Sequence, residues 1–434
     1  MPARRSTASL LLVVALALGV AACVAPSESS PDTAAPSAPA TPTAIASTCV
    51  ESPETVAALE PTAESTSAEL DAGLVASLDA TVLATLPETT APGAVVGVRT
   101  PEGTWRAAYG SADAATGEPM AVGMHTRVGS VTKPFTVSLI MQLAEDGLLG
   151  LDDHLAEYVD GVPNGDRITL RQLADMTSGV GSYTFNPAFT DVFFAAPQTV
   201  FAPDELIAAG IEVSPRFDPG TSYEYSNTNT VLLGVIAEHV TGSDIGELFA
   251  ARIFEPLGLD QTVWPGSSTD LPEPYAHGIT WQGDGASADA PLDATHWNPS
   301  WGFTAGEIVS SVDDLLVFGR ALGTGQGLLA DESQVERLTS FPGSAGYGLG
   351  FGCVDGWVGH TGELPGYNTA VFHDTTTDTT VVVQTNSDIA SGDCDESPVR
   401  ASDPRTLPCS SPATRIFAAL STTLGHTFTP NPQH

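Results

Sequence analysis

Residues 94–109 read AVVGVRTPEGTWRAAY, and this stretch decides the class of fold. Two runs of β-branched and aromatic residues, 94–99 and 105–109, flank the turn formed by Pro101, Glu102 and Gly103, a pattern typical of a β-hairpin. A second hairpin is predicted far downstream, where residues 367–373 and 379–385 flank a polar turn. We therefore expect the early and late strands to meet in one antiparallel sheet.

Helical patterns surround and separate these hairpins. Leu70, Leu74, Leu78 and Val82 recur every four residues, which predicts an amphipathic helix at the start of the domain. Further helices are predicted at 134–145, 231–240, 312–322 and 411–424. The expected fold class is α+β, with an antiparallel sheet formed by N- and C-terminal segments, flanked by helices, and with a mostly helical region inserted.

The composition excludes several classes of partner. The 434 residues include 52 acidic and 15 basic side chains, which gives a formal net charge of −37. Such a charge argues against nucleic acid and anionic membrane surfaces as partners. With 42% hydrophobic residues, the chain can build a sizeable core. Lys133 is the only lysine, so every other basic side chain is an arginine.

The N-terminus predicts export. Arg4 and Arg5 precede an apolar run at 10–20 and small residues that end at Cys23, the order found in a secretory signal. The small residues before Cys23 resemble a bacterial lipobox, although Val20 replaces the commoner Leu. We expect a signal peptide at 1–22 and a lipid on Cys23 that anchors the protein to the outer face of the cell membrane. Ordinary cleavage and secretion is the alternative.

The remaining boundaries follow from composition. Residues 23–67 are rich in Pro, Ala, Ser and Thr, which predicts an unstructured linker. A catalytic domain is expected at 68–426 and a tail at 427–434.

The other four cysteines, Cys49, Cys353, Cys394 and Cys409, predict two disulfides in an oxidising compartment. Three pairings are open, and proximity favours Cys394 with Cys409. A zinc site is the alternative, but the spacings match no common ligand pattern. No motif for a metal or a nucleotide cofactor is found, so no cofactor is expected.

Ser130 and Lys133 are the first candidate pair. They lie three residues apart, directly before an apolar helical pattern, so that hydroxyl and amine can touch at a helix N-terminus. Free backbone N–H groups there favour an anion formed by attack of the hydroxyl. The alternative is a Ser that caps the helix beside a solvated Lys. A single Lys in a chain of arginines favours chemistry, because Arg cannot act as a base.

Two further polar motifs are weaker when taken alone. Tyr225, Ser226 and Asn227 lie in a predicted turn before the helix at 231–240, where a simple helix-entry loop is the alternative. His360, Thr361 and Gly362 follow a predicted strand, where a lone His is more often structural than catalytic.

Taken in order, these three motifs resemble the signature motifs of the penicillin-binding serine hydrolases. The chain is most similar to the branch that contains class C β-lactamases, D-alanyl-D-alanine carboxypeptidases and related esterases. Three further phrases fit that branch: TSG at 177–179, YGLGF at 347–351 and PGY at 365–367. The resemblance covers residues 70–424, nearly all of the predicted domain.

The resemblance implies a role for each residue. Ser130 would be the nucleophile, and Lys133 and Tyr225 would share the role of general base. The backbone N–H groups of Ser130 and Glu363 would hold the oxyanion.

The resemblance also implies substrate-binding residues. Asn227 would bind the substrate amide, and His360, Thr361 and Gly362 would orient the scissile region. Apart from the resemblance, the aromatic residues Trp297 and Trp301, with Tyr183 and Phe185, are candidates for the lining of an acyl pocket, with core or loop packing as the alternative.

The resemblance also implies an exported hydrolase that acts through an acyl-enzyme. His360 replaces the Lys that class C β-lactamases carry in the third motif, which makes β-lactams less suitable as the main substrate. We therefore expect a D-alanyl-D-alanine carboxypeptidase-like peptidase, whose partner is a small peptide such as a cell-wall peptide. The alternatives are a carboxylesterase or a β-lactamase, with an ester or β-lactam substrate, and a penicillin-binding sensor that does not hydrolyse.

Overall fold

A seven-stranded antiparallel sheet is the central element of the residues that the computed structural model describes, which are 49–59, 68–287, 290–342, 346–394 and 406–429. All of them belong to one unit, residues 46–434. The strands are β1 (Gly93–Thr100), β2 (Gly103–Asp113), β3 (Glu118–Pro119), β4 (Gly352–Val354), β5 (Trp357–Leu364), β6 (Tyr367–Asp374) and β7 (Thr379–Thr385).

The order of the strands across the sheet is β3-β2-β1-β7-β6-β5-β4, and neighbouring strands are antiparallel. Both predicted hairpins are confirmed. The early and late strands meet where β1 pairs with β7, with Val96 opposite Val383.

The longer helices are α1 (Ala72–Thr85), α2 (Thr132–Glu145), α3 (Asn227–Thr241), α4 (Val312–Thr324) and α5 (Pro412–Thr423). The shorter helices are Pro53–Ala57, Leu170–Ala174, Pro187–Ala195, Pro203–Glu212, Ile245–Phe249, Glu255–Leu257 and Asp331–Thr339. Short 3₁₀ turns lie at Leu86–Glu88, Gly129–Val131, Leu155–Glu157, Tyr183–Phe185 and Phe303–Ala305, and a π turn lies at Ala250–Phe254. Two small ribbons pair Thr126–Arg127 with Val309–Ser310 and Ile279–Thr280 with Leu292–Asp293.

Helices cover both faces of the sheet because alternate side chains of its central strands point to opposite faces. Val381 and Val383 pack with α1 and α5, whereas Val382 packs in the larger core that contains α2, α3 and α4. The region from α2 to Asp331–Thr339 lies between β3 and β4 in the chain and is mostly helical. The predicted α+β architecture is therefore confirmed.

The start of α3 differs from the prediction. The helix begins at Asn227 and not at 231, so Asn227 lies in its first turn and not in a preceding loop. The reason is local bonding. The Asn227 N–H donates to Ser182 Oγ at 3.1 Å, and Thr228 Oγ1 donates to the Gly181 carbonyl at 2.8 Å. These contacts let polar residues occupy the first helical turn.

Part of the predicted linker and part of the predicted tail belong to the packed domain. Within 49–59, Val50 and Val56 are buried in the larger core, and so this stretch is not a free spacer. At the other end, the buried Phe428 packs on the rings of Phe372 and Phe417. The predicted signal peptide, Cys23 and the rest of the linker lie outside the described residues.

Two disulfides are formed, between Cys49 and Cys353 and between Cys394 and Cys409. The pairing that proximity favoured is therefore confirmed. In the described part of the chain, no helix combines the length and the apolar character needed to span a membrane.

Candidate active site

Ser130 lies in the 3₁₀ turn Gly129–Val131 that leads into α2. Gly129 has a positive φ of 56°, a conformation that glycine adopts without the steric cost of a Cβ atom. The Ser130 side chain caps neither this turn nor α2, since no side-chain cap is formed at either start. A purely structural capping role for this serine is thereby excluded.

The predicted contact between serine and lysine is present. The Nζ atom of Lys133 lies 2.9 Å from Ser130 Oγ and donates to the Ala305 carbonyl at 2.8 Å. Lys133 is fully buried, and burial lowers the pKa of its amine well below the usual value. A neutral amine can accept a proton from the serine that it touches.

Tyr225 is the third side chain that lies beside Ser130 and Lys133. The Nζ atom of Lys133 lies 4.8 Å from the centre of the Tyr225 ring. Burial raises the pKa of the Tyr225 hydroxyl, and the Ser130 side chain opposes this rise to a smaller extent. Burial therefore lowers the pKa of the Lys133 amine and raises the pKa of the Tyr225 phenol, and each shift favours the neutral form of its group.

Strand β5 lies close against the Ser130 turn. A Cβ atom placed on Gly129 would lie 2.8 Å from the backbone nitrogen of Glu363. A Cβ atom placed on Gly362 would lie 3.1 Å from the backbone nitrogen of Ser130. The backbone amides of Ser130 and Glu363 are therefore neighbours, as an oxyanion site built from two main-chain donors requires.

This close approach predicts a strong effect of Gly362→Ala. The added Cβ would lie 1.8 Å from the Val128 carbonyl oxygen, so strand and turn must separate. Overpacking of this kind destabilises a protein by about 1–3 kcal/mol. Urea unfolding measures the loss. Gly123→Ala is the control, because a Cβ there meets nothing within 4 Å. Equal stability of the two variants would contradict the close packing of β5 on the turn.

His360 lies on β5 with its ring beside the group. Its Nδ1 bonds the Thr361 carbonyl, and its Nε2 lies 3.1 Å from the Tyr347 hydroxyl. A carbonyl only accepts, so Nδ1 carries the proton and Nε2 accepts from Tyr347. Burial and the nearby Lys133 lower the pKa of His360 to about 3. The imidazole is therefore neutral at physiological pH.

The rings of Tyr225, His360 and Tyr347 lie close together. The centre of the Tyr225 ring lies 6.1 Å from the His360 ring and 6.0 Å from the Tyr347 ring. Asn227, in the first turn of α3, is oriented by a hydrogen bond from its Nδ2 to Thr184 Oγ1 at 3.2 Å. Thr361 is half-buried beside His360 on β5.

A pocket adjoins the turn on the side of Gly306, and Trp297, Trp301 and Leu364 contribute to its lining. The ring of Phe193 packs against both indole rings, with centroids 5.9 and 4.9 Å away. The two tryptophans therefore pack against Phe193 and contribute to the lining of this small pocket, and their role in binding an acyl group stays a prediction.

Two contributors were missed by sequence reasoning. The Ala305 carbonyl holds the Lys133 amine, but a backbone carbonyl has no signal in the sequence. The Tyr347 hydroxyl bonds His360, and the YGLGF phrase at 347–351 was its only signal. Among the described residues, no group of three or more His, Cys, Asp and Glu side chains is placed to hold a metal ion.

The chain is similar to known proteins in its sequence and in its fold. The family model "Beta-lactamase" matches residues 74–402. A D-aminopeptidase from Cereibacter sphaeroides is 30% identical over 278 residues, which cover 61% of this chain and 51% of that protein. The chain thus spans about half the length of the curated relatives that it matches.

Solved structures extend the similarity. A D-stereospecific amidohydrolase from Streptomyces sp. is 32% identical, with a TM-score of 0.66, and the match covers 72% of this chain and 94% of that one. A D-amino acid amidase from Ochrobactrum anthropi, in complex with D-phenylalanine, is 25% identical with a TM-score of 0.64. That match covers 73% of this chain and 92% of the amidase.

Proposed function

The chain belongs to the beta-lactamase family, and from this membership we propose that it is a serine hydrolase that cleaves amides of D-amino acids. The observation that carries the proposal is the buried Lys133 amine 2.9 Å from the Ser130 hydroxyl. The names of the relatives, a D-aminopeptidase, a D-stereospecific amidohydrolase and a D-amino acid amidase, support the substrate class. They favour it over the predicted D-alanyl-D-alanine carboxypeptidase.

In the proposed reaction, Ser130 Oγ attacks the amide carbonyl and its proton passes to Lys133 Nζ. The oxyanion that forms is held by the N–H groups of Ser130 and Glu363. As the C–N bond breaks, the Tyr225 hydroxyl gives its proton to the leaving nitrogen and regains one from Lys133. Water then hydrolyses the ester on Ser130 and releases the D-amino acid. Asn227 positions the acyl side of the substrate.

The depressed pKa of Lys133 predicts the pH dependence of activity. Only the neutral amine accepts a proton, so kcat/KM is full above this pKa and is lost as the pH falls through it. His360, with a pKa of about 3, does not cause the loss. Stopped assays of amide hydrolysis across pH measure the profile. His360→Gln is expected to keep the position of the acid limb, and a limb that disappears in this variant would contradict the assignment.

A panel of substrates tests the proposed function. Purified protein is given D-alaninamide, L-alaninamide, the dipeptide D-Ala-D-Ala, a short aryl ester and a cephalosporin. We expect D-alaninamide to be cleaved at least about tenfold faster than the L form. Preferred cleavage of the dipeptide, the ester or the cephalosporin would replace the proposal by a carboxypeptidase, an esterase or a β-lactamase. Fluorescent penicillin retained for hours, with no turnover, would indicate a sensor.

We further propose that the protein is exported and anchored through Cys23. The sequence at 1–23 supports this location, and the two disulfides suit an oxidising compartment. Metabolic labelling with a radioactive fatty acid should mark the wild type and not Cys23→Ser. Release of unlabelled wild-type protein into the medium would instead indicate ordinary secretion.

A further inference from the structure

The side chain of Glu363 lies on the open face of β5 beside the proposed oxyanion site. Along this strand Gly362 and Leu364 are buried, whereas Thr361 is half-buried and Glu363 is exposed. Because alternate side chains of a strand share a face, Thr361 and Glu363 point to the same side. The resemblance implied a role only for the Glu363 backbone, which leaves its carboxyl group without a function.

The Glu363 carboxyl group has no neutralising partner. Within the described residues, it forms neither a hydrogen bond nor an ion pair. Desolvation by the walls of the cleft and, to a smaller extent, the carboxyl of Asp388 raise the pKa of Glu363 to about 8. The carboxyl therefore ionises above about pH 8, and in such alkaline solution it adds uncompensated negative charge to the cleft.

The basic side chains of the site do not offset this charge. The amine of Lys133 is fully buried and burial lowers its pKa well below the usual value, while the His360 imidazole, with a pKa of about 3, is neutral. Arg127 lines the adjoining pocket, but it is buried and faces the buried Glu307. Within the described part of the chain, none of these three groups offers an exposed cation to a substrate carboxylate.

We propose that Glu363 determines specificity by excluding substrates whose leaving group carries a carboxylate. The inference rests on the proposed function and deepens it. If the Glu363 amide holds the oxyanion, its own side chain lies within one residue of the scissile carbonyl. In D-Ala-D-Ala, the terminal carboxylate also lies within one residue of that carbonyl. The two charges then repel, whereas a neutral amide leaving group meets no such repulsion.

The size of the effect follows from Coulomb's law. Two unit charges about 8 Å apart change an equilibrium about 2-fold at the dielectric constant of water and about 30-fold at the effective value near a protein surface. A cleft lies between these limits. Salt weakens the repulsion, because exposed charges are screened over about 10 Å at 0.1 M ionic strength.

Two matched peptides test the role of Glu363, D-Ala-D-Ala and the same dipeptide with a C-terminal amide. Both carry the same amino end, so the ratio of their kcat/KM values isolates the charge of the leaving group. Release of D-alanine or D-alaninamide is measured by chromatography at pH 9. In Glu363→Gln we expect the ratio of kcat/KM for the amide peptide to kcat/KM for the carboxylate peptide to fall about 3- to 30-fold.

Controls separate this effect from general ones. Glu363→Asp keeps the charge and should keep the discrimination, and Glu88→Gln, at an exposed site outside the cleft, should match the wild type. Added salt should reduce the ratio of kcat/KM for the amide peptide to kcat/KM for the carboxylate peptide in the wild type. The same ratio in Glu363→Gln should not change with salt. An unchanged ratio in a folded Glu363→Gln that still cleaves both peptides would overturn the role of Glu363 alone. A wild type that cleaves neither peptide nor D-alaninamide would overturn the proposed function itself.

Discussion

Ser130→Ala is expected to abolish hydrolysis of D-alaninamide, with a loss in kcat of about 10⁴- to 10⁶-fold. Losses of this size follow removal of the nucleophile from a serine hydrolase, because only binding and oxyanion stabilisation remain. The fold should be unaffected, since the side chain caps no helix and its contact with Lys133 is the bond that is lost. Removal of one such bond costs about 1 kcal/mol.

The measurement for this variant combines steady-state kinetics with urea unfolding. Ser77→Ala is the matched control. Its hydroxyl lies on the exposed face of α1 and donates to the Gly73 carbonyl, so the same chemical change should leave kcat intact. Retention of more than about a tenth of the wild-type rate in Ser130→Ala would show that another group is the nucleophile.

Lys133→Met is expected to lower kcat/KM by about 10²- to 10⁴-fold, the contribution of a positioned general base. The loss of activity in Lys133→Met should not be accompanied by a loss of folding stability. The Met side chain can fill the space of the buried amine without its desolvation penalty. We expect the free energy of unfolding to be equal to or higher than that of the wild type. Lys133→Arg should also be inactive, because a guanidinium stays protonated.

A single lysine in the sequence makes the ionisation of this group directly observable. In protein labelled with ¹⁵N only at the lysine Nζ, one side-chain resonance should report Lys133. Its pKa should lie well below the usual value of about 10.4, as burial requires. Titration near 10.4, or substantial activity in Lys133→Met, would contradict a neutral amine as the base.

The sheet was predictable because its hairpins are local. Residues 94–109 carry strand, turn and strand in sequence, and β-branched runs mark them without any distant information. The pairing of β1 with β7 joins segments far apart in the chain. That pairing followed from the need of two hairpins to share one core, which is a rule about layers and not a signal in either segment.

The residues of the candidate site were predictable from different kinds of evidence. Helical spacing alone brings Ser130 to Lys133, whereas Tyr225 and His360 were placed beside them only by resemblance to a family. The start of α3 was predicted late because Asn227 is a poor helix former in isolation. Its helical conformation depends on Ser182, which is distant in sequence. Tertiary contacts of this kind carry no local pattern.

The predicted bounds of the linker and of the tail differ from those of the packed domain for a related reason. Averaged over 23–67, the composition is that of a linker, yet Val50 and Val56 are enough to dock the stretch at 49–59 on the core. The Cys49–Cys353 disulfide fixes the same stretch covalently. At the C-terminus, one aromatic residue, Phe428, extends the domain beyond the predicted end. One or two buried hydrophobic residues within a polar segment do not change its average composition, so composition alone does not reveal that the segment packs on the domain.

The central claim is that the acyl group of the substrate is transferred to Ser130. The most direct measurement is rapid acid quenching during turnover of a D-alanine aryl ester, followed by digestion and peptide mass spectrometry. The account predicts one D-alanyl group on the peptide that contains Ser130 and none in Ser130→Ala. Turnover with the group on another residue, or with no acylated peptide at any quench time, would contradict it.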